Sequence, residues 1–539
     1  MQKEVPIWED YLYLPIQLEK DNKEKKDIIE NNMKETDVIE KLFEIFILDK
    51  EQERKILEIY IPVGIADSSV YAYDYLARFP VKQFTDKTIV VKGDAPEAFF
   101  DEVKNGSYLA SKPMERPLHH LTAEYGWLND PNGLLFDGEN YHAYFQHNPC
   151  NTKWNNMSWG HAISKDLLHW KHQDDVLFPD ENGMAFSGCG LINEKGLLNL
   201  PKDAYLFYYT AAGDTMPWCR GKMATQRLAY SLNKGNTLMK ERSVFLDTIS
   251  WENRDPKIFY HTQTKAYIMV LWLEKNEFGI LRSNDLRSWK ISDKITLTDA
   301  WECPDLLSVP CADQPDLYQW MFWSADGFYY WGDFDGYQFQ TDGIKHQAYL
   351  NQVPYAAQSI SGTREVISIP WLRLEHKNRL YKGAMGIPRV LSFAFENGEK
   401  VLLQNPIGEL KKQAKQCVDY ERVEENVRGN AAENVEEIIQ INHKATVIVD
   451  IKLDGRKCLD IVVNHFKIHY DAKMEKLTAG QEVYQIGERD EFSFLIDDTI
   501  FELTAGHGII TGVFELPDNK MDILILKNQI LSYKAYELE

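Results

Sequence analysis

Ser164-Lys165-Asp166-Leu167-Leu168-His169-Trp170-Lys171 returns further along the chain as Ser283-Asn284-Asp285-Leu286-Arg287-Ser288-Trp289-Lys290. Each copy of Ser-x-Asp-Leu-x-x-Trp-Lys stands in the same relation to a preceding apolar strand pattern, so it reads as one corner of a repeated unit. Repeats of four short strands build propeller blades around a shared axis. From about 115 to 405, short apolar runs alternate with turn signals such as Phe136-Asp137-Gly138-Glu139-Asn140 and Asp326-Gly327, as strands and hairpins do. Counting units opened by Asp130, Ser187, Asp255, Glu302 and Tyr355-Ala356-Ala357-Gln358 gives five blades.

Three of these units share a local setting. Asp130 lies in Trp127-Leu128-Asn129-Asp130-Pro131-Asn132-Gly133, Asp255 in Arg254-Asp255-Pro256-Lys257, and Glu302 in Trp301-Glu302-Cys303-Pro304-Asp305. Each acid precedes a proline by one or two residues, and an apolar run follows. Proline is accepted at the first residue of a strand and biases its predecessor toward extended geometry. Each unit therefore reads as a carboxylate at the mouth end of a strand, and three such units bring three acids to one mouth of an axial channel. The competing arrangement is a β-sandwich in which each acid makes a turn with its own backbone.

Composition narrows the partners. Hydrophobic residues are 44% and charged residues 26% of 539, a globular balance with length for two to four domains. A net charge of −22 repels phosphates and argues against nucleic acid or an anionic membrane. It suits a neutral ligand such as a sugar. The 14 Trp and 28 Tyr fit sugar sites, which need flat apolar walls beside polar groups, or equally the packing of a large β-protein.

The seven cysteines are scattered with no CxxC pair, so neither a disulfide framework nor a zinc site is expected. Met1-Gln2-Lys3-Glu4-Val5 lacks the apolar core of a signal peptide, and the longest apolar run, Ala266 to Leu273, is too short for a bilayer span,. As written, the chain reads as cytoplasmic; with a signal removed before residue 1 it would be periplasmic or secreted. His119, His120, His142, His147, His161, His169 and His172 form a His-rich span without HExxH spacing. They read as structural, and no metal or cofactor is expected.

The expected fold is all-β: a five-bladed propeller at 113–405, a linker helix at 406–418 and a C-terminal β-sandwich at 419–539, preceded by a small β-rich domain at 1–112. In that first part, Phe43, Ile45, Ile47 and Leu57, Ile59, Ile61 alternate on either side of Lys50-Glu51-Gln52-Glu53, as in a β-hairpin,. Thr88-Ile89-Val90-Val91-Lys92 is a further strand closed by Gly93, and the charge-dense residues 19–40 read as a solvated loop or helix face. Glu409-Leu410-Lys411-Lys412-Gln413 reads as the linking helix. Alternation at Val447, Val449, Ile451, Leu453 and Phe492, Phe494, Ile496 marks sandwich strands.

Taken in order, these motifs resemble glycoside hydrolase family 32, the invertases, inulinases and levanases. The opening signature is Trp127 to Gly133. Tyr144-Phe145-Gln146-His147-Asn148-Pro149, Trp154-Asn155-Asn156-Met157-Ser158-Trp159-Gly160-His161 and Phe186-Ser187-Gly188-Cys189 follow it. Next come Arg254-Asp255-Pro256-Lys257, Glu302-Cys303-Pro304, Gly332-Asp333-Phe334-Asp335-Gly336 and Gly386-Ile387-Pro388-Arg389. Asp497-Asp498-Thr499-Ile500-Phe501-Glu502 closes the series. The resemblance covers roughly 115–539 and implies a propeller followed by a sandwich. Residues before 110 are similar to an accessory β-domain of some bacterial members. Cys189 stands where the family has serine, and Tyr349-Leu350-Asn351-Gln352 replaces an Asp-Tyr-Gly phrase. Both departures are expected at the pocket edge.

The resemblance implies a retaining hydrolase acting on an oligo- or polysaccharide fructoside (levan, inulin or sucrose). Asp130 would be the nucleophile, Glu302 the acid and then base, and Asp255 the holder of sugar hydroxyls. Asn129 and Gln146 would bind hydroxyls, Trp154 would form an apolar wall, and Phe186, Ser187 and Arg254 would complete the substrate site. Crowding of three carboxylates should raise one pKa by like-charge repulsion. Arg254 is expected to hold Asp255 ionised and leave the proton on Glu302. Trp127 and Trp301 flank acids and serve the site or the core. Cys303 has no histidine partner in the sequence pattern and is not read as a thiol nucleophile. Fructosyl transfer, hydrolysis of sucrose 6-phosphate and fructan binding without catalysis are the alternatives.

Overall fold

Both copies of the repeated phrase fold into the same corner. Ser164 Oγ donates to Asp166 Oδ1, which accepts the N–H groups of Leu168 and His169 at 3.0 and 2.9 Å. Asp285 Oδ1 likewise accepts from Ser283 Oγ and from the N–H groups of Arg287 and Ser288. A short acidic side chain thus organises its own backbone, and the following leucines, Leu167 and Leu286, take φ of 68° and 61°. Each corner joins the third strand of a sheet to its fourth: Ser158–Ser164 to Trp170–His172, and Glu277–Ser283 to Lys290–Thr296. Ser231 and Asn233 build a related corner in the sheet between them.

The computed structural model describes residues 1–19, 38–50, 52–64, 70–111, 114–246, 248–421, 436–440, 445–455, 457–517, 522–526 and 530–538. Most of the charge-dense stretch, at 20–37, lies outside the described residues. No described helix is long and apolar enough to cross a membrane.

The architecture is a β-propeller joined to a β-sandwich. Antiparallel four-strand paths follow one another, and their first strands are Gly126–Phe136, Met184–Ile192, Arg254–His261, Asp305–Pro310 and Pro354–Ser359. The first of these strands lies against the second and the fifth, and the second against the third, as around a common axis. The ring is fastened where Tyr381–Lys382 pairs in parallel with Gly126–Trp127, adding a strand from late in the chain to the first sheet. Two six-stranded sheets follow the short helix Gly408–Gln413. Val447, Val449, Ile451, Leu453, Phe492, Phe494 and Ile496 are all buried in the core between them, as their alternation required.

Two sheets precede the propeller. One orders its strands as Gln2–Pro6, Thr88–Gly93, Val38–Asp49 and Gln52–Gly64, so the anticipated hairpin is formed and its second strand is the sheet edge.

A buried ionic network ties propeller to sandwich. Asp497 accepts the N–H groups of Leu118, His119 and His120 and the His120 Nδ1 contact at 2.8 Å. Glu502 meets His120 Nε2 at 3.2 Å, accepts the Ile387 N–H and pairs with Arg389. Burial works against the charge on His120, but the two carboxylates override it and lift the pKa to about 9. The motifs Gly386 to Arg389 and Asp497 to Glu502 are therefore an interface, distant in sequence and adjacent in space.

Candidate active site

The first strands do not run straight past the axis. Ladder register breaks between Leu128 and Pro131, Ala185 and Gly188, Arg254 and Lys257, and Tyr355 and Gln358. Each break is a bulge, which leaves a residue unpaired and re-aims its side chain. The bulged residues include Asn129, Asp130, Phe186, Ser187 and Asp255. Pro131 corrects the sequence reading: it lies inside the long strand Gly126–Phe136 rather than at its start, and the bulge removes the need for its missing N–H. Asp255 takes φ of 62°, and Glu302 and Cys303, just ahead of Asp305–Pro310, take 26° and 41°. Non-glycine residues held there cost about 1–3 kcal/mol each and persist only where surroundings enforce them. Thr210 supplies part of that enforcement by accepting the Asp255 N–H at 3.0 Å.

The nine anticipated side chains, Asn129, Asp130, Gln146, Trp154, Phe186, Ser187, Arg254, Asp255 and Glu302, all line one cavity of about 510 Å³. Asp130 Oδ2 accepts from Ser187 Oγ at 2.7 Å, and Oδ1 from Asn129 Nδ2 at 3.2 Å. Trp127 Nε1 donates to Asn129 Oδ1 at 2.8 Å and so orients that amide. The Cys303 thiol reaches Asp130 Oδ2 at 3.6 Å and Asp255 Oδ2 at 3.5 Å, and the Cys303 N–H donates to the same Asp255 oxygen at 3.2 Å. Gln146 donates to the Ala185 carbonyl, and Trp154, 51% exposed, stands edge-on to Phe186 at the rim.

Arg254 overturns one expectation. Its Nη2 and Nε reach Glu302 Oε2 at 2.7 and 3.1 Å, while Nε lies 3.7 Å from Asp255. The guanidinium therefore serves Glu302 first, and Tyr355 donates its hydroxyl to the other Glu302 oxygen at 2.7 Å. Arg254 is held by stacking 3.9 Å over the Trp272 ring, which packs in turn on Trp301. Trp127 and Trp301 thus act from behind the cavity wall.

Burial is the main cause that lifts the Asp255 pKa to about 7; Arg254 opposes it, and Glu302 and Asp130 add like-charge repulsion. Asp130 is raised as well, by burial and then by Glu302, while Ser187 and Asn129 pull it back. Like-charge crowding is therefore real but secondary to desolvation. Burial also drives the Cys303 thiol far above its usual range, so it is a neutral S–H donor.

Several lining residues escaped the sequence reading: Tyr355, Trp371, Thr210, Asp214, Trp251 and Glu252. Tyr355 carried a signal, since it sits beside the Ala356-Ala357 bulge in the same strand position as the acids. Gln358, beneath the cavity, joins three sheets by donating to the Pro131 and Gly188 carbonyls and accepting the Leu134 N–H. The two departures from the family pattern do not edge the cavity. Cys189 is buried between two sheets, Tyr349 is in a core cluster, and Leu350 packs on the sandwich. Among the described residues no His, Cys, Asp or Glu group has metal-binding geometry. His142 and His161 stack on one another, and His147 pairs with Asp175.

Known proteins place this arrangement. The family model described as the glycosyl hydrolases family 32 N-terminal domain matches residues 120–406, more than half of the chain. An invertase of Debaryomyces hansenii is 34% identical over 331 residues, covering 54% of this chain and 60% of the relative. A levanase of Bacillus subtilis is 31% identical over 329 residues, covering 55% of this chain and 47% of the relative. The chain thus spans about half the length of the curated relatives it matches. Among solved structures, a fructofuranosidase from Schwanniomyces occidentalis complexed with fructose superposes with a TM-score of 0.68 at 22% identity, covering 80% of this chain and 99% of that one. An exo-inulinase from Aspergillus awamori gives the same score and coverage at 20% identity. The chain belongs to glycoside hydrolase family 32.

Proposed function

We propose that this chain is a retaining β-fructosidase that releases terminal fructose from fructans or sucrose. The observation that carries the reading is the meeting of three carboxyl groups from three separate sheets in one cavity. Asp130 and Asp255 share the Cys303 thiol, and Asp255 and Glu302 share Arg254.

In this reading the terminal ring seats against the buried acids. Asp130, aligned by Ser187 and Asn129, attacks the anomeric carbon as the bond to the leaving oxygen breaks, giving a fructosyl ester. Glu302 delivers a proton to that leaving oxygen. Water then enters; Glu302 takes one of its protons, hydroxide adds to the anomeric carbon, and Asp130 leaves as carboxylate. Asp255 holds ring hydroxyls, and its proton near neutrality lets it donate as well as accept. In the resting site Arg254 and Tyr355 between them engage both Glu302 oxygens and so fix the direction of that carboxyl group.

The lining also discriminates between substrates. Its acids are Asp130, Asp214, Glu252, Asp255 and Glu302, and its one cation among the described residues is Arg254, already committed to Glu302. Such a wall repels a phosphorylated sugar and favours neutral fructosides. The test is a time course with sucrose, inulin and levan, with products separated by chromatography. Free fructose as the main product is expected. Longer oligosaccharides as the main product would make the chain a transferase, and binding without turnover would make it a lectin-like protein.

A further inference from the structure

The edge strand of the N-terminal sheet is not left open. Tyr60, on Gln52–Gly64, offers its backbone N–H and C=O to the side-chain amide of Asn156, each at 2.8 Å. Asn156 is fully buried with φ of 51° and at this one point pairs the edge as a residue of another strand would,. Its neighbours Trp154 and Met157 line the active-site cavity. The same hairpin offers Glu40, which accepts from the Asn151 and Asn155 amides at 3.2 and 3.1 Å. It also offers Glu58, which is 1% exposed and is held by Lys55 at 2.9 Å. Glu58 accepts the backbone N–H of Trp218 at 2.9 Å. Trp218 belongs to the tight turn Pro217–Cys219, which closes the loop bearing the lining residues Asp214 and Thr215. Two loops of neighbouring propeller sheets are therefore gripped from outside by one hairpin. Met157 and Met216 pack together between them.

We infer that the hairpin Val38–Asp49/Gln52–Gly64 braces the active-site rim from outside, with Glu40 and Glu58 as positioning residues that set how the fructoside beyond its terminal ring is held. This rests on the β-fructosidase reading. Asp130 and Asp255 take their geometry from strand bulges and Glu302 from the turn ahead of Asp305–Pro310, and among the described residues none of the three is hydrogen-bonded to the hairpin. Trp154, Asp214 and Thr215 owe theirs to loops it braces. Loss of the brace should therefore weaken recognition of long substrates and spare chemistry at the terminal ring.

The test compares full-length wild type with Glu58→Ala, Glu58→Gln and Glu40→Ala. The substrates are methyl β-fructofuranoside, inulin and levan. The expected result is a rise in KM of about tenfold for inulin or levan in both alanine variants. Values for the methyl fructoside should stay within about twofold of wild type. Glu58→Gln keeps an acceptor for the Trp218 N–H and should recover most of the loss. Hydrogen exchange should rise in 150–157 for Glu40→Ala and in 214–219 for Glu58→Ala, with the sandwich unchanged. Equal losses on all three substrates, or exchange unchanged in both loops, overturn the inference. Glu40 is exposed, so its variant carries the test should a Glu58 variant fail to fold. Wild type that hydrolyses none of the three substrates sinks the functional reading, while the exchange comparison still decides whether the hairpin braces the loops.

Discussion

Arg254→Lys keeps a positive charge beside Glu302 and removes the fork. In the native site Nη2 and Nε meet Glu302 Oε2 at 2.7 and 3.1 Å, and the guanidinium lies 3.9 Å over Trp272. A lysine ammonium is a point donor without a flat face, so it replaces at most one of the two bonds and none of the stacking. A hydrogen bond to a charged group contributes about 1.5–3 kcal/mol, and the stacked cation about 0.5–2 kcal/mol. The retained charge recovers part of this, leaving an expected loss of about 2–4 kcal/mol, or roughly 30- to 900-fold in kcat/KM. The assay is steady-state kinetics on sucrose and on an aryl β-fructoside. In the proposed mechanism Arg254 acts through Glu302, which serves the leaving oxygen. The loss should therefore be large on sucrose and about an order of magnitude smaller on the aryl substrate, whose leaving group needs little protonation. Activity within about threefold of wild type on both substrates would refute this reasoning, because the fork would then contribute little to the transition state.

Other outcomes follow from the same geometry. Glu302→Ala should be far more damaging on sucrose than on an aryl β-fructoside, and equal losses would count against its acid role. Ser187→Ala removes a hydrogen bond that holds the Asp130 pKa down. As the proposed nucleophile Asp130 must be ionised, so the acidic limb of the kcat/KM profile should move to higher pH; an unmoved limb would detach Ser187 from Asp130. Stability should also depend on pH through the propeller–sandwich network. The His120 pKa is raised to about 9, so its contribution, on the order of 3 kcal/mol, is complete below about pH 6.5 and is lost as pH rises toward 9. Burial opposes the charge of Asp497 and Glu502, yet His120 holds the Asp497 pKa low, and Arg389 with His120 holds that of Glu502 at about 2. Their contribution is present above the ordinary carboxylate range and lost as pH falls below it. Thermal unfolding should thus show a maximum between about pH 5 and 6.5, with the alkaline fall flattened in His120→Ala.

The sequence disclosed some levels of this molecule better than others. Strand alternation exposed the N-terminal hairpin and the sandwich core because burial on one face imposes period two on the residues themselves. The acids were legible because each carries a proline, and proline restricts where a carboxylate can sit on a strand. What proline did not reveal was the bulge: Pro131 has the same neighbours in sequence whether it opens a strand or lies within one. The partner of Arg254 was misread for a similar reason. Sequence proximity does not say which of two nearby acids a guanidinium engages, and here it passes Asp255 at 3.7 Å to reach Glu302, ahead of the next sheet, at 2.7 Å. Tyr355, Thr210 and Gln358 were missed because their roles are contacts between sheets. The same holds for Glu58, which meets Trp218 across 160 positions of chain, and for Asn156, which meets Tyr60 across 96.

The central claim is that Asp130 becomes covalently bound to the sugar while Glu302 handles the proton. It is tested most directly by slowing the second step: Glu302→Ala is mixed with an aryl β-fructoside, quenched in acid, digested and analysed by peptide mass spectrometry. The expected result is one hexosyl addition, on the peptide containing Asp130, that decays when azide is supplied as an alternative nucleophile. A hexosyl group on Asp255, or fructose released with no labelled peptide and with inverted configuration, would contradict it.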